Sequence, residues 1–405
     1  MRRFVSMCVF IAALVAACGG GSTPAAVAPT EAEAPTAAPA ATQAAPTPAP
    51  GATAAPPTSL PTETPAASPT PLPPGQIGPV NFPADVNPLT GLQVADPAVL
   101  DRKPLLIKIS NFPGEVRPQS GMSYADMVFE HYAEGGITRF TALYWSQTPA
   151  MVGSVRSARL IDLELPAIYK AMFAYSGSSD EIKTRVRDSD FFDRVFSPDW
   201  GDPCPLFCLD NALEKPNNEF AYPAEIWKEA ALRGLDGKPV INGMVFNPEV
   251  PADGLPANVV RVVYSGGFAR WDYEPDRGLY VRRQDSDPII DKLNNQRLRA
   301  ANVIVVFATH VVTDIIEDQA SKRPGLEIQV WGAGDAFVFR DGQVYVGRWS
   351  RIDRVDMLHF YYGDGQTPVP LKPGVTWIEF VGVSTPNKTE GAGDEWRFEP
   401  PPAGP

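Results

Sequence analysis

Apolar and polar positions alternate most clearly between Met127 and Ser146, where MVFEHYA and ITRFTALYWS flank Gly135-Gly136. Period-two alternation sends successive side chains to opposite faces of a strand, and paired glycines supply a permissive turn. The pattern predicts a hairpin of 127–133 against 137–146. Ahead of it, KPLLIKIS at 103–110 reads as a buried strand. After it, Ser157 is placed to cap a helix through Ile161, Leu165 and Ile168. AMFAY at 171–175 is a short strand that ends in Ser176-Gly177-Ser178-Ser179, and Asp180 opens a helix to about Arg187. A Gly/Ser turn between a strand end and a helix start is a natural place for an anion, although it matches no phosphate-loop or dinucleotide fingerprint. A further helix, 223–234, turns Ile226, Ala230 and Trp227 inward.

Pro and Gly gather again at 237–257, and the periodicity beyond is that of strands: 259–265, 268–273, 279–283, 303–309, 326–331, 336–349 and 375–382. Asp341-Gly342 between alternating runs is the strongest short hairpin signal in the chain. The expected class is α+β, with an N-terminal α/β domain (81–240), a β-rich C-terminal domain (241–386) and a flexible tail (387–405).

The first 80 residues follow other rules. Arg2 and Arg3 precede an apolar run too short to span a bilayer comfortably, and the run closes on Leu14-Val15-Ala16-Ala17-Cys18. Small residues before a Cys and a Gly-rich exit fit a lipoprotein signal, 1–18, with Cys18 lipidated. Several acyl chains on one residue make a stable anchor. Residues 19–80 are rich in Ala, Pro and Thr and carry only Glu31, Glu33 and Glu63 as charges. Such a tract has no apolar face to offset its ordering entropy, so it reads as an extended disordered spacer. The expected location is extracytoplasmic, on the outer face of the cell membrane.

Net charge is −12, and no Lys/Arg stripe of the kind that holds nucleic acid is present. With Cys8 in the signal and Cys18 lipidated, Cys204 and Cys208 remain. In an exported domain they are expected to form a small-loop disulfide, with free thiols as the alternative. No cofactor is expected, and no metal either: His131, His310 and His359 show no ligand spacing and read as structural. No GxSxG elbow marks a serine nucleophile.

Two groups of residues hold the remaining chemistry. Asp126, Glu130 and Glu134 are close in sequence and would share one strand face, so a pair of them could hydrolyse a glycoside. A solvated face, or pairing with Arg139 and Arg156, explains them as well. Arg117, Arg139, Arg156 and Arg159 could converge as an anion site, since guanidinium matches carboxylate and phosphate. The alternative is internal pairing with Asp126, Glu130, Glu134, Asp162 and Glu164. Trp271, Tyr273, Trp331, Trp349 and Trp377 could stack on sugars but read as core.

NPLTG (87–91), RPQSG (117–121), EGGITRF (134–140) and VRSAR (155–159), with ARWDYE (269–274), GLYVR (278–282), NVIVV (302–306), VFRDG (338–342), GRWSR (347–351) and PGVTWIE (373–379), make the chain resemble the YerB-like bacterial lipoproteins. The resemblance implies a two-part domain of unknown function. In that family pattern a Pro-His-Asn triplet falls where this chain has Pro216-Asn217-Asn218, and a Pro-His-x-Asp falls at Pro288-Ile289-Ile290-Asp291. Both His positions are replaced here, which argues against retained His chemistry. The expected role is therefore a tethered binding or scaffold module for an anionic wall component or a partner protein. The alternative is an envelope hydrolase using Asp126, Glu130 or Glu134, with Asp291.

Overall fold

The apolar run of KPLLIKIS forms strand β1 (Leu105–Ser110), and each of its residues is buried. In this computed structural model, which describes residues 75–318, 322–390 and 393–399, β1 lies inside a wide sheet covered on both faces. The expected hairpin is present as β2 (Met127–Tyr132) and β3 (Thr138–Tyr144), paired antiparallel. Gly135 and Gly136 both take positive φ between them. At Gly135 it is the left-handed φ that requires glycine, since the Arg323 guanidinium beside it is the exposed end of a flexible side chain that can move aside. Two short parallel strands, β4 (Met172–Ala174) and β5 (Val195–Phe196), continue the sheet beyond β1.

The second half supplies β6 (Val259–Tyr264), β7 (Gly267–Glu274), β8 (Leu279–Gln284), the long β9 (Asn302–Asp318) and β10 (Arg323–Gln329). It continues with β11 (Gly332–Arg340), β12 (Gln343–Arg351), β13 (His359–Tyr362), β14 (Thr376–Gly382) and β15 (Glu395–Phe398). Asp341 and Gly342 both have positive φ, as the expected β11–β12 turn requires.

The large sheet runs β13-β12-β11-β9-β14-β2-β3-β1-β4-β5, and a smaller sheet has β8-β7-β6-β15 at its centre, with short strands at 287–288 and 299–300 beside β8 and at 387–390 beside β15. The segments expected as separate domains therefore meet in one sheet, where β2 pairs in parallel with β14 and Glu130 stands beside Glu379. Alternation sorts the side chains into two cores. Ile107, Val128, Phe140, Val305 and Trp377 pack against Val260, Val262, Trp271 and Phe398 of the smaller sheet. Leu106, Phe129, Leu143, Ile304 and Phe380 pack under Leu160, Ile161, Leu165 and Ile182 on the other face.

The N-terminal part is less helical than an α/β domain, and the molecule is β-rich. Helices α1 (Asp180–Arg187) and α2 (Pro223–Leu232) form where the apolar spacing predicts them, α1 with Ser179 accepting from the Ile182 amide. The helix expected after Ser157 does not form as one element. It is a 3-10 turn, Leu160–Leu163, then a single α-turn, Leu165–Ile168, because Pro166 interrupts the N–H series and Lys170 leaves the helical region with φ +49. The tail expected to fray also carries structure: β15 pairs in parallel with β6 and buries Trp396 and Phe398. Cys204 and Cys208 form a disulfide in the loop after β5, and a loop this small restrains little beyond itself. Ile77 already pairs with Phe246. The signal (1–18, with Cys18) and residues 19–74 of the spacer lie outside the described residues. Among the described residues no helix is long and apolar enough to cross a membrane.

Candidate functional site

β1, β2, β4 and β5 run in one direction, so their C-terminal ends share one edge of the large sheet. In open α/β sheets the carboxyl ends of parallel strands are where ligands bind, and these four parallel strands present the same kind of edge within a mixed sheet. Ser110 ends β1 there, Glu134 follows β2, Arg139 stands at the start of β3 opposite both Ser110 and His131, and Ser176 follows β4. The VRSAR segment crosses the same edge and is tied to it by backbone bonds from Arg156 to Lys108 and from Ser176 to Arg156.

Arg139, Arg156 and Arg159 meet at this edge. The Arg159 Nη2 donates to Glu134 at 2.6 Å, its Nε also bonds Glu134 and lies 2.7 Å from the Glu317 carboxylate, and its Nη1 donates to the Ala158 carbonyl. Arg139 donates to the Ser157 carbonyl at 3.1 Å, with Glu134 3.9 Å away. Arg156 reaches across to Ser110 Oγ (3.2 Å), the Pro216 carbonyl (2.5 Å) and the Asn217 side chain. Arg117 stands apart, its guanidinium 5.3 Å from the Phe112 ring centre. Arg159 is buried, whereas Arg139, Arg156, Ser157, Ser176 and Ser178 keep partial exposure.

The electrostatics of the cluster are unbalanced. Burial, and after it the neighbouring Arg159, pull Arg139 down to about 9, and the same two causes lower Arg156. Burial pushes the Glu317 carboxyl up, and Glu134 adds to this, to about 8. Burial would raise Glu134 too, but the hydrogen bond with Glu317 and the Arg159 guanidinium hold it at about 2. At neutral pH the three guanidiniums thus face one full carboxylate charge from this pair.

A second, sealed network lies directly beneath. The Lys108 ammonium contacts Asp162 at 2.6 Å, Thr141 Oγ1 at 3.1 Å and His131 Nε2 at 2.7 Å. Burial, then Lys108, lower His131 to about 3, so its ring is neutral, with Nε2 accepting and Nδ1 donating to the Tyr132 carbonyl. Asp162 in turn accepts from the Arg159 backbone amide at 2.7 Å and so fixes the turn that presents Arg159.

Two models of a protein of unknown function, DUF3048, match the chain: its N-terminal domain over residues 89–236 and its C-terminal domain over 260–378. The chain belongs to this YerB-like family. The Bacillus subtilis (strain 168) protein named "Putative lipoprotein YerB" is 31% identical over 302 residues, covering 73% of this chain and 85% of that one. The crystal structure of YerB from Bacillus subtilis superposes with a TM-score of 0.62 at 29% identity, over 73% of this chain and 96% of that one. The family is thus one of lipoprotein type, and EGGITRF and VRSAR, which build the edge cluster, fall within its first domain.

The other candidates are dispersed. Asp126 accepts from the Trp145 and Ser146 amides and from Ser146 Oγ. Glu130 lies between the sheets, bonded to Thr138 and Arg282. Glu134 is on the edge, and Asp291 accepts from the Gly121 and Ser123 amides, holding the RPQSG turn to the second half. These four do not share a face: Asp126 precedes the strand, Glu134 follows it, and only Glu130 lies on it. Asn217, where the family pattern leads one to expect His, is the Arg156 partner. Among the described residues no group of His, Cys, Asp or Glu is placed to hold a metal ion. Trp271, Trp349 and Trp377 are core, and Trp331 is exposed.

Sequence reasoning missed Lys108, Glu317, Arg282 and Glu379. Glu379 sits beside Glu130 and accepts from Tyr264 Oη (2.6 Å) and Trp271 Nε1 (3.0 Å). Burial, then Glu130, raise it to about 8. A carboxyl raised in the folded state stabilises fully below its ordinary value and loses that contribution as pH climbs to the raised one. Glu317 and Glu379 both act in that sense, while the lowered His131 completes its opposite contribution by about 6.5. The melting temperature is therefore expected to fall between pH 6.5 and 8. Calorimetry across that window showing a flat or rising value would contradict the protonation assigned to both carboxyls.

Proposed function

We propose that this protein is a membrane-tethered binding module of the cell envelope, without a catalytic role for the carboxylates considered above, and that its edge cluster holds an anionic group of a wall component or partner. The observation that carries the reading is the convergence of three guanidiniums on the Glu134–Glu317 pair at the C-terminal edge, with Arg139 and Arg156 partly exposed and both lowered by burial and by Arg159. An incoming phosphate or carboxylate would supply the missing charge, and Arg156 would present it with a planar fork. The lipidated Cys18 and the Pro-rich spacer would carry the module away from the membrane, extracytoplasmically. The hydrolase reading has no support in the arrangement: its four carboxylates are held in separate networks, with Glu130 beside the wholly buried Glu379 and Glu134 bonded to Glu317 and gripped by Arg159.

Arg139→Ala with Arg156→Ala should weaken binding to purified anionic wall polymer by about tenfold or more, the scale of losing charged hydrogen bonds. Co-sedimentation or titration calorimetry checks this beside a melting curve. Unchanged binding with the fold intact removes the edge cluster as the site.

A further inference from the structure

The smaller sheet has one face in the core and one in solvent, and the solvent face carries an alignment that pairwise inspection of the sequence does not show. Register places Arg261 of β6 opposite Arg270 of β7, Arg270 opposite Arg283 of β8, and Arg261 beside Arg397 of β15. Four arginines thus stand in one row across four neighbouring strands. With strands roughly 4.8 Å apart the row is about 14 Å long. Their sequence neighbours Val260, Val262, Ala269, Trp271 and Arg282 point the other way, into the core.

Like charges directly opposite on a sheet destabilise it, so such a row opposes folding unless something meets it. The chain meets part of it. Asp272 bonds Arg270 and Arg283, each at 2.8 Å, and Arg397 pairs with Glu399. Arg261 lies over the Phe268 ring at 3.7 Å, and its Nε has no hydrogen-bond partner. Beside the row, Arg299 and Arg297 approach Glu274 at 2.8 and 3.6 Å, and the Nε and Nη2 of Arg297 are likewise without hydrogen-bond partners. Buried polar groups are nearly always satisfied, so these donors are groups that a ligand would satisfy. Arg261, Arg270, Arg283 and Arg297, with Asp272, Glu274 and Asp285 among them, line an open cleft of about 740 Å³.

We propose that this cleft binds an extended phosphate polymer, whose successive anionic groups run along the row from Arg397 to Arg283. Arginine rather than lysine throughout suits phosphate recognition by paired N–H donors. A row crossing the strands fits a linear chain of charges better than a single ion. A membrane surface is a poorer fit, because interfacial binding adds apolar anchors and none of the exposed large hydrophobic side chains among the described residues lines the cleft. The proposal does not rest on the edge cluster, which lies on the large sheet and uses other arginines.

The test is titration of the detergent-solubilised full chain with inorganic polyphosphate, followed by fluorescence anisotropy at two ionic strengths. Orthophosphate, polygalacturonate and phosphatidylglycerol vesicles serve as comparison probes. Polyphosphate is expected to bind more tightly than all three, with an affinity that falls as salt rises. Arg261→Gln with Arg270→Gln and Arg283→Gln should weaken it at least tenfold and flatten the salt dependence, while Arg348→Gln, at an exposed arginine of the large sheet outside both clusters, leaves it unchanged; Arg156→Ala is titrated beside them. Should the triple variant fold poorly, Arg261→Gln alone, at a side chain with no ion pair of its own in the row, should still weaken binding about threefold. Equal binding by the folded row variants overturns the proposal. So does tighter binding of orthophosphate, polygalacturonate or vesicles, and a loss that follows Arg156 instead assigns the polymer to the edge cluster.

Discussion

Arg282→Met is expected to destabilise the chain by about 3–5 kcal/mol, the usual loss when one partner of a buried ion pair is removed. Arg282 is buried between the sheets, with its guanidinium 5.5 and 5.7 Å from the ring centres of Trp271 and Trp377. It donates to Glu130 at 2.8 Å and to Gln284 at 3.1 Å, and also bonds the Arg283 carbonyl. Without it, Glu130 and the adjacent Glu379 remain in an apolar layer with no cation. Methionine fills much of the volume, so the loss isolates charge from packing. Protonation of the carboxyls relieves the defect, which makes the deficit larger at pH 8 than at pH 5. Adding Glu130→Gln should restore part of the stability, because replacing both partners avoids a stranded charge. Urea unfolding at the two pH values measures all of this. A deficit under about 1 kcal/mol at pH 8 would mean that Arg282 does not neutralise the pair.

These networks explain why parts of the molecule were legible in the sequence and others were not. The hairpin at Gly135-Gly136, the β11–β12 turn at Asp341-Gly342 and helices α1 and α2 depend on local periodicity and turn chemistry, which lie within a few residues. β15 was hidden because EWRF is short and set among Gly and Pro, and its burial comes from β6, far away in sequence. The pairing of β2 with β14 has no local signal at all, so the two halves read as separate domains although they share a sheet. Lys108 in KPLLIKIS and Glu379 in TWIEF were readable as lone charges inside otherwise apolar strands, and such a charge demands a buried partner. Which partner it finds, Asp162 for Lys108 or Tyr264 and Trp271 for Glu379, is decided by tertiary packing. The arginine group could be collected from its motifs, but Glu317, which shares Arg159 with Glu134, sits on the distal part of β9 and has no spacing that links it.

Asp162→Asn should cost about 3–5 kcal/mol at pH 6 and distinctly less at pH 9, a pH response opposite in sign to that of Arg282→Met. Lys108 and Asp162 are both wholly buried and 2.6 Å apart. Burial drags Lys108 down to about 8, against the attraction of Asp162 that keeps its charge in place. Take the carboxylate away and the ammonium has only Thr141 and the neutral His131 beside it, so the folded chain must carry an unpaired cation or release the proton. A lysine lowered in the folded state withholds its stabilising share until pH exceeds the lowered value, so raising the pH lifts the penalty of the variant. The backbone matters as well, since Asp162 accepts the Arg159 amide and Thr141 Oγ1, and asparagine can keep only part of that pattern. Because that amide bond shapes the turn presenting Arg159, the variant should also weaken polymer capture by the edge cluster while sparing the arginine row of the smaller sheet. Equal losses of stability at pH 6 and pH 9 would show that Lys108 is not held as a buried cation, and the account of the cluster's foundation would fall with it.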